Sequence, residues 1–549
     1  MVHRLIQTAL ALITSIYSFS QDTITRSDIG AAAGVIGLNY KPAEIDSLYG
    51  NVKENLDDYK KMRSASLSND VAMSLVQSPV LPGVKFSTQQ LPVTWNIPLN
   101  ISLPVNRNEL AFFSILQLAS LVKNRKITSV ALTQFYIDRL KKFADTLQCV
   151  ISYTEDIAME QARQADKEIT AGKYRGPLHG IPYGLKDLFA VKGTKTTWGA
   201  APYKTQTIDR DAFVYTQLKS AGAVLVAKFT LGALAMGDYW YGGRTKNPWN
   251  LRGGSSGSSA GSASATVAGL VPFSIGTETY GSIISPSTTC GATGLRPTFG
   301  SVSRSGAMAL SWSLDKIGPI CRSAEDAAVV FNYIHGTDGL DPSAVNMPFN
   351  YAGKADLKKI RIGYAKNYFA KVDTSSNDWK VLETYRRLGL QVDPVVFPDS
   401  ALYNFDIMGI VIGAESAAAF DEFTRSEVDD MMTRQTKNDW PNSFRASRLI
   451  PAVEYVNANR HRYLLMQAVS KLFDQYDVVI CPTWMGHQAA ITNLTGHPAI
   501  CFPNGFNKAN LPTSITLVGK LYSEATLLAV AKAYQDATIW NTQHPAMFK

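Results

Sequence analysis

The sequence predicts an α/β fold from one βαβ pattern, one amphipathic helix and a composition that can fill a large core. The βαβ pattern covers residues 360–397, where a strand, a helix with one apolar face and a second strand follow each other. The amphipathic helix begins near residues 128–129, and apolar side chains recur at helical spacing up to residue 143. Hydrophobic residues make up 46% of the 549-residue chain, so its length fits one large α/β domain or two to four smaller ones.

The first 20 residues have the layout of a secretory signal peptide. Arg4 precedes an apolar run over residues 5–19, and the small residues Ser18 and Ser20 stand at its end. A buried N-terminal helix is the alternative. We interpret residues 1–20 as a signal peptide and therefore expect a periplasmic or secreted protein.

Residues 21–104 are predicted to form an N-terminal extension, because they lack the motifs found further along the chain. Their last part, residues 90–104, contains three prolines with the spacing of an extended connector. No later segment reaches the roughly 20 consecutive apolar residues that a bilayer span requires, so no membrane span is expected.

The net charge and the spacing of the histidines and cysteines argue against nucleic-acid binding and against a metal site. The net charge of +9 is modest for this length and no dense Lys/Arg run is present, so nucleic acid is not an expected partner. The seven histidines include no H-E-x-x-H motif and the five cysteines include no close C-x-x-C pair. We therefore expect no metal, no cofactor and no disulfide framework.

A segment rich in glycine and serine, residues 253–297, is the strongest candidate for a catalytic loop. Glycine lets the backbone approach a ligand closely, and serine supplies a small donor and acceptor there. A flexible linker is one alternative, but this segment contains apolar runs. A nucleophile elbow is another, because residues 253–257 and 257–261 both match G-x-S-x-G; the preceding residues 244–252 are too polar for the strand that an elbow needs.

A serine nucleophile needs a base, and Lys186 is the candidate. It ends a short apolar run in residues 180–187, GIPYGLKD. For a lysine to be neutral near pH 7, burial must lower its pKa by roughly three units, at a cost of about 4 kcal/mol. The alternative is that Lys186 forms an ion pair with Asp187 or with a more distant carboxylate.

Three separated motifs together resemble the amidase signature family, hydrolases that use a Ser-Ser-Lys triad. The motifs are GIPYGLKD, then GSSAGSASATVAG from residue 257, then GTETYGSIISPSTTCGATGLRPTFG from residue 276. The resemblance implies that Lys186 is the base, Ser282 the nucleophile and Ser258 the bridging serine after a cis peptide bond. Ser258 has the family's spacing to Ser282, and Ser255 is the alternative bridging serine.

The resemblance also implies the fold and the surroundings of the site. Together with the patterns above, it predicts an α/β/α sandwich around a mixed, largely parallel sheet, in an amidase signature domain covering residues 105–549. Backbone N–H groups at Thr279, Tyr280, Gly281 and Ser282 are expected to form the oxyanion hole. The expected substrate-binding side chains are Tyr280, Met308 and Trp312.

Other segments are assigned by how closely they match the family. Residues 403–461 resemble it only weakly, and we expect substrate specificity to be set there. Residues 313–319 and 493–499 match family segments and are expected to have a structural role.

Two positions depart from the family pattern. Tyr280 stands where the family usually has glycine, and Ile284 stands where many members have an arginine that suits carboxylate recognition.

The main hypothesis is a secreted amidase that hydrolyses a small-molecule amide or peptide amide through an acyl-enzyme. One alternative is the A-type subunit of a glutamine amidotransferase, which makes ammonia for transfer-RNA-dependent amidation with partner subunits. The other is an inactive binding protein on the same fold; the sequence does not determine the oligomeric state.

Overall fold

The computed structural model describes residues 24–65, 67–353, 356–400 and 405–549. The chain divides into two compact units, residues 1–67 and residues 68–549. The predicted signal peptide, residues 1–20, lies outside the described residues, so export stays a prediction. Residues 68–104, predicted as part of an N-terminal extension, belong to the second unit.

The first unit contains two helices, α1 (Arg26–Val35) and α2 (Pro42–Arg63). Thr25 caps α1 with a reciprocal hydrogen-bond pair to Asp28, and a proline opens α2. The Tyr49 hydroxyl of α2 donates to the Ile24 carbonyl at 3.0 Å, which ties the start of the described chain to the second helix.

The second unit contains the remaining helices. They are α3 (Ile115–Lys123), α4 (Ser129–Leu147), α5 (Glu155–Thr170), α6 (Phe213–Ser220), α7 (Ala260–Val267), α8 (Ile284–Cys290), α9 (Ala324–Ile334), α10 (Lys366–Phe369), α11 (Asn377–Arg387), α12 (Phe405–Ala419), α13 (Asp421–Arg425), α14 (Trp440–Ser447), α15 (Ala452–Gln475), α16 (Gln488–Thr495) and α17 (Glu524–Asp536). Short 3₁₀ helices lie at Arg107–Phe112, Ala201–Tyr203, Ala233–Ala235, Leu357–Lys359, Val428–Met431, Trp540–Thr542 and Ala546–Phe548.

The strands of the second unit are centred on one large sheet. They are β1 (Val150–Tyr153), β2 (Pro182–Lys186), β3 (Val224–Phe229), β4 (Tyr239–Trp240), β5 (Gly243–Arg244), β6 (Lys246–Asn247), β7 (Asn250–Gly254), β8 (Ser274–Glu278), β9 (Thr293–Arg296), β10 (Lys316–Cys321), β11 (Ile362–Ala365), β12 (Val392–Val395), β13 (Val478–Pro482), β14 (Ala499–Phe506) and β15 (Pro512–Gly519). The pairs β4–β5 and β6–β7 form separate two-stranded sheets.

The large sheet has eleven strands in the order β1-β3-β2-β8-β10-β9-β14-β15-β13-β11-β12. Strands β3, β2 and β8 are parallel neighbours, as are β13, β11 and β12. The remaining six neighbouring pairs are antiparallel. The predicted α/β fold around a mixed sheet is confirmed, but the sheet is not largely parallel, because its four parallel pairs lie in two separate groups joined by antiparallel strands.

Apolar side chains cover both faces of the large sheet, and strand periodicity explains how. Successive side chains of a strand point to opposite faces. On β13, Val478 and Ile480 join one buried cluster while Val479 and Cys481 join another. Helices therefore pack on the two sides of the sheet, as an α/β/α sandwich requires.

The two local patterns that predicted this fold correspond to real elements. Thr128 caps α4 by accepting a hydrogen bond from the N–H of Ala131 at 3.0 Å. The predicted βαβ unit is β11, α11 and β12, and its two strands pair in parallel. Local signals were sufficient here because cap residues and apolar periodicity act within a few residues.

Residues 68–104 contain no helix or strand, yet they pack on the second unit. Val93, Trp95 and Ile97 lie against its main apolar cluster, with Ile101 and Leu103 further along. The Ser120 hydroxyl donates to the carbonyl of Pro98. This segment is therefore part of the second unit rather than a separate extension.

No helix in the described ranges is both long enough and apolar enough to cross a bilayer.

A buried ion pair joins the neighbouring strands β2 and β3. Lys228 Nζ of β3 lies 2.8 Å from Asp187 Oδ1, just after β2, and neither side chain is exposed to solvent. The same carboxylate accepts hydrogen bonds from the Thr197 N–H at 2.8 Å and the Thr197 hydroxyl at 2.6 Å. A buried charge that loses its partner destabilises the folded state. We therefore expect that replacing one residue of this pair lowers the free energy of unfolding strongly.

We predict that Lys228→Met lowers the free energy of unfolding by about 3–5 kcal/mol, because it leaves Asp187 buried without a counter-charge. Urea denaturation of wild type and variant measures the difference. Lys141→Met is the control, because it removes the exposed ion pair with Glu155 and should cost no more than about 1 kcal/mol. An equal loss in both variants would contradict the prediction.

Candidate active site

The site lies at the edge of the large sheet where two parallel strands end. Strands β2 and β8 run side by side, with Leu185 opposite Ile275. Lys186 is the last residue of β2, and Thr277 and Glu278 end β8. Because carboxyl ends of parallel neighbours share one edge, these side chains meet there.

Lys186 is fully buried and is surrounded by hydroxyl groups. Its Nζ lies 2.8 Å from Ser258 Oγ and donates to Thr277 Oγ1 at 2.8 Å, with the Thr277 carbonyl at 3.4 Å. Burial lowers the pKa of Lys186 to about 7, although the charges of Asp315 and Glu278 act in the opposite direction. A substantial fraction of this amine is therefore neutral at neutral pH and able to accept a proton.

The alternative pairing of Lys186 with Asp187 does not occur. Lys186 ends β2, and Asp187 lies in the turn that follows it. Asp187 forms its ion pair with Lys228 instead. Lys186 is thus left without a carboxylate partner within ion-pair distance among the described residues.

Ser258 follows a cis peptide bond to Gly257, as the family resemblance implied. Glycine is required at position 257, because a Cβ there would stand 1.8 Å from the Gly237 carbonyl oxygen. Ser255, the alternative bridging residue, directs its hydroxyl to the Ser256 carbonyl at 2.8 Å. The structure therefore brings Ser258 to Lys186 and keeps Ser255 engaged elsewhere.

Ser282 lies on the turn between β8 and α8, next to the Ser258 segment. The Ser259 N–H donates to the Ser282 carbonyl at 3.1 Å, and Ser282 is 8% exposed. The preceding Gly281 has φ +84°, a left-handed conformation that favours glycine. The Ser282 backbone is thus hydrogen-bonded to the residue that follows Ser258, and Ser258 itself contacts Lys186.

Glu278 holds the turn that carries Ser282. Its Oε2 accepts from the N–H groups of Ile283 and Ile284 at 2.8 and 2.9 Å, and its Oε1 accepts from Arg296 and Asn493, both at 2.9 Å. Burial alone would raise its pKa, but Arg296 and these hydrogen bonds lower the pKa of Glu278 to about 2. The N–H groups at 283 and 284 are therefore occupied, which leaves the predicted oxyanion donors at residues 279–282.

The predicted oxyanion residues are fixed from the other side by Asp315. Its Oδ1 accepts from the Thr279 hydroxyl at 2.5 Å, while Oδ2 accepts from the N–H groups of Leu310 and Ser311 at 2.8 and 2.9 Å. Sequence reasoning gave residues 313–319 a structural role, and Asp315 shows what that role is. Glu278 and Thr277 were missed because they end β8, and only the pairing of β8 with β2 brings them beside Lys186.

A cavity of about 280 Å³ extends from this site, and Thr277 connects the two, since it lines the cavity and contacts Lys186. Most of the deeper wall is apolar, formed by Leu188, Met308, Leu310, Trp312 and Ile317. Of the expected substrate-binding residues, Met308 and Trp312 line this cavity. Tyr280 does not line it and is 36% exposed.

The cationic side chains of the cavity wall all have partners within the protein. Arg304 binds Asp341 at 2.8 Å, and Arg210 binds Asp70 at 2.7 Å. Lys316 donates to the Leu314 carbonyl, and burial lowers its pKa well below the usual value. The cavity wall is therefore largely apolar, and each of its cationic side chains already has a partner within the protein.

The expectation that residues 403–461 set specificity is wrong for this cavity, since no described residue of that segment lines it. A helix of this segment, α12, instead forms hydrogen bonds with the loop that contains the cavity residue Trp312. Glu415 of α12 accepts from the Ser311 hydroxyl at 2.6 Å and from the Ser313 N–H and hydroxyl at 2.9 and 2.7 Å.

The family model described as Amidase matches residues 131–490. This range contains Lys186, Ser258 and Ser282. The chain belongs to the amidase signature family. It is an enzyme of a family that acts on amide C–N bonds.

Curated relatives and solved structures support the same membership. The glutamyl-tRNA(Gln) amidotransferase A subunit of Methylococcus capsulatus is 33% identical over 480 residues, covering 79% of this chain and 98% of the relative. The native peptide amidase of Stenotrophomonas maltophilia is 28% identical with a TM-score of 0.69, covering 78% of this chain and 97% of that one. An amidase family protein of Bacillus anthracis, 23% identical with a TM-score of 0.72 over 80% of this chain and 93% of that one, shares the fold.

We predict that burying Lys186 makes wild-type stability depend on pH. Between pH 7 and 10.5 the unfolded lysine binds a proton that the native one has lost, so stability rises with pH in this window. Relative to Lys186→Met, the wild type should gain about 2–3 kcal/mol between pH 7 and pH 9. Urea denaturation at both pH values measures the gain.

The control variant is Lys173→Met at an exposed position, whose difference from wild type should not change with pH. If the curves for wild type and Lys186→Met stay parallel from pH 7 to 9, the lowered pKa is refuted.

Proposed function

We propose that this protein hydrolyses carboxylic amides through a covalent acyl-enzyme on Ser282. The observation that carries the proposal is the 2.8 Å approach of the buried Lys186 Nζ to Ser258 Oγ, beside the Ser282 turn. Neutral Lys186 takes the proton of Ser258, which takes the proton of Ser282 as its Oγ attacks the amide carbon. The N–H groups of Thr279–Ser282 would donate hydrogen bonds to the carbonyl oxygen and so stabilise the negative charge that develops on it.

The same relay runs in reverse to complete the reaction. The proton held by Lys186 returns through Ser258 to the leaving nitrogen, and the C–N bond breaks to release ammonia or an amine. Water then enters, loses a proton along the same path and attacks the Ser282 ester. The acid product leaves and the three residues regain their starting protonation states.

The substrate we propose is an amide with a neutral, apolar acyl group. The cavity beside the site is apolar over most of its depth, and its arginines are paired with carboxylates. Ile284, at the position where many family members carry arginine, is buried in an apolar cluster with Leu314 and Leu494. A substrate carboxylate has no cation to meet at that position. The similarity to a peptide amidase supports this substrate class.

A second candidate is the A-type subunit of a glutamine amidotransferase. It is supported by 33% identity over 98% of such a subunit from Methylococcus capsulatus. In that case the substrate is glutamine and the protein acts with partner subunits. The apolar Ile284 favours the first candidate, and so does the predicted export of the chain, which we retain as part of the proposal.

We predict that Ser282→Ala and Lys186→Ala each lower kcat on a simple primary amide by more than about 10³-fold. Ser258→Ala should lose at least about 100-fold more activity than Ser255→Ala, because only Ser258 contacts Lys186. Release of ammonia measures turnover, and circular dichroism confirms that each variant is folded. Retained activity in Ser282→Ala would refute the mechanism, and a wild type inactive on every amide would favour the binding-protein hypothesis.

We predict that wild-type kcat/KM is at least about tenfold higher for a primary amide with an apolar acyl chain than for glutamine. The physical reason is that the α-carboxylate of glutamine finds no unpaired cation in the cavity wall. Ammonia release from both substrates at equal concentrations measures the ratio. A preference for glutamine, or glutaminase activity that appears only with partner subunits, would replace the first candidate by the second.

A further inference from the structure

One wall of the cavity comes from residues that precede the range matched by the family model. Asn69, Asp70 and Ala72 line the cavity, while the match begins at residue 131. These three residues lie in the segment predicted to be an N-terminal extension. The part of the chain that completes the cavity is therefore separate from the part that carries the triad.

Asn69 is held in place by hydrogen bonds to Ala309, a neighbouring residue of the cavity lining. Its side-chain oxygen accepts from the Ala309 N–H at 2.8 Å, and its side-chain nitrogen donates to the Ala309 carbonyl at 2.9 Å. The same nitrogen donates to the Ala419 carbonyl at 3.3 Å. Ala309 itself lines the cavity, so this contact fixes the segment beside it.

Asp70 makes the next contact, an ion pair with Arg210 at 2.7 Å. The two side chains are 40% and 39% exposed, so they lie at the rim rather than in the core. Both residues line the cavity. Asn69 and the Asp70–Arg210 pair together form what we call the distal wall.

A second cavity, of about 290 Å³, shares the residues of the distal wall with the first. Asn69, Asp70 and Arg210 line both cavities, and so do Gly306, Ala307 and Met308. The lining of the second cavity also includes the apolar residues Trp198 and Ile208. The distal wall thus lines two spaces, of which only the first includes Thr277 beside Lys186.

We propose that the distal wall sets the substrate specificity of this enzyme by limiting the length of the acyl group. This inference rests on the proposed function. The carbonyl carbon must reach Ser282, so the acyl chain extends from the triad along the apolar wall toward Asn69 and Asp70. A chain that reaches them must stop or displace the Asp70–Arg210 pair, and the second cavity stays closed to it.

The test is a series of straight-chain primary amides of increasing acyl length, assayed by ammonia release. The wild type should show a rise in kcat/KM with length, followed by a fall at a definite length. In Asp70→Ala and in Arg210→Ala the fall should move to longer chains, because the second cavity becomes accessible. Each methylene that enters it should raise kcat/KM about fourfold relative to wild type.

Two further variants separate the distal wall from general effects. Asn69→Ala removes the hydrogen bonds to Ala309 and should shift the length limit in the same direction. Asp536→Ala removes an exposed ion pair with Lys532 elsewhere on the unit and should leave the profile unchanged. An exposed pair contributes little to stability, so Asp70→Ala should remain folded.

The outcomes distinguish this proposal from the proposed function. A wild type that hydrolyses no amide refutes the proposed function and this proposal with it. A wild type that is active on short amides, with the same length limit in Asp70→Ala, Arg210→Ala and Asn69→Ala, refutes only the distal wall. A shift confined to those three variants supports it.

Discussion

A buried lysine whose pKa is lowered to about 7 is the condition on which this site depends, and the fold maintains it by giving nearby carboxylates other partners. Asp187 pairs with Lys228, Glu278 pairs with Arg296, and Asp315 accepts from Thr279 and two backbone N–H groups. If any of these carboxylates moved next to Lys186, its attraction would favour the ammonium form. By keeping these carboxylates engaged elsewhere, the pairings favour the neutral form of the Lys186 amine.

The same carboxylates also position the backbone. Glu278 closes the turn before α8 by accepting from Ile283 and Ile284, and Asp315 fastens Thr279 to the loop that forms the cavity wall. Glu415 supports that loop from α12. The carboxylates of Glu278, Asp315 and Glu415 therefore link the sheet edge, the turn that carries Ser282 and the cavity wall by hydrogen bonds.

The sequence was sufficient for features encoded within a short segment and insufficient for features set by strand pairing. The motif containing Lys186, the cap at Thr128 and the βαβ unit all follow from neighbours along the chain. The partner of Asp187 is Lys228, on a strand that only the sheet order brings beside β2. For the same reason the antiparallel centre of the sheet was not predicted. The weak resemblance of residues 403–461 gave no information on where those helices lie. In the structure, Glu415 of α12 accepts hydrogen bonds from the loop that contains the cavity residue Trp312.

The separation between catalytic and wall-forming residues limits what similarity to other proteins can say about the substrate. Lys186, Ser258 and Ser282 fall within residues 131–490, which match the family model. Asn69 and Asp70 fall outside that range but line the same cavity. In the proposed mechanism the triad acts on the amide group and the wall meets the acyl chain, so relatives could share the chemistry while differing in the amide they accept. The proposed wall depends on few contacts: Asn69 forms three hydrogen bonds, with Ala309 and Ala419, and Asp70 forms one ion pair with Arg210.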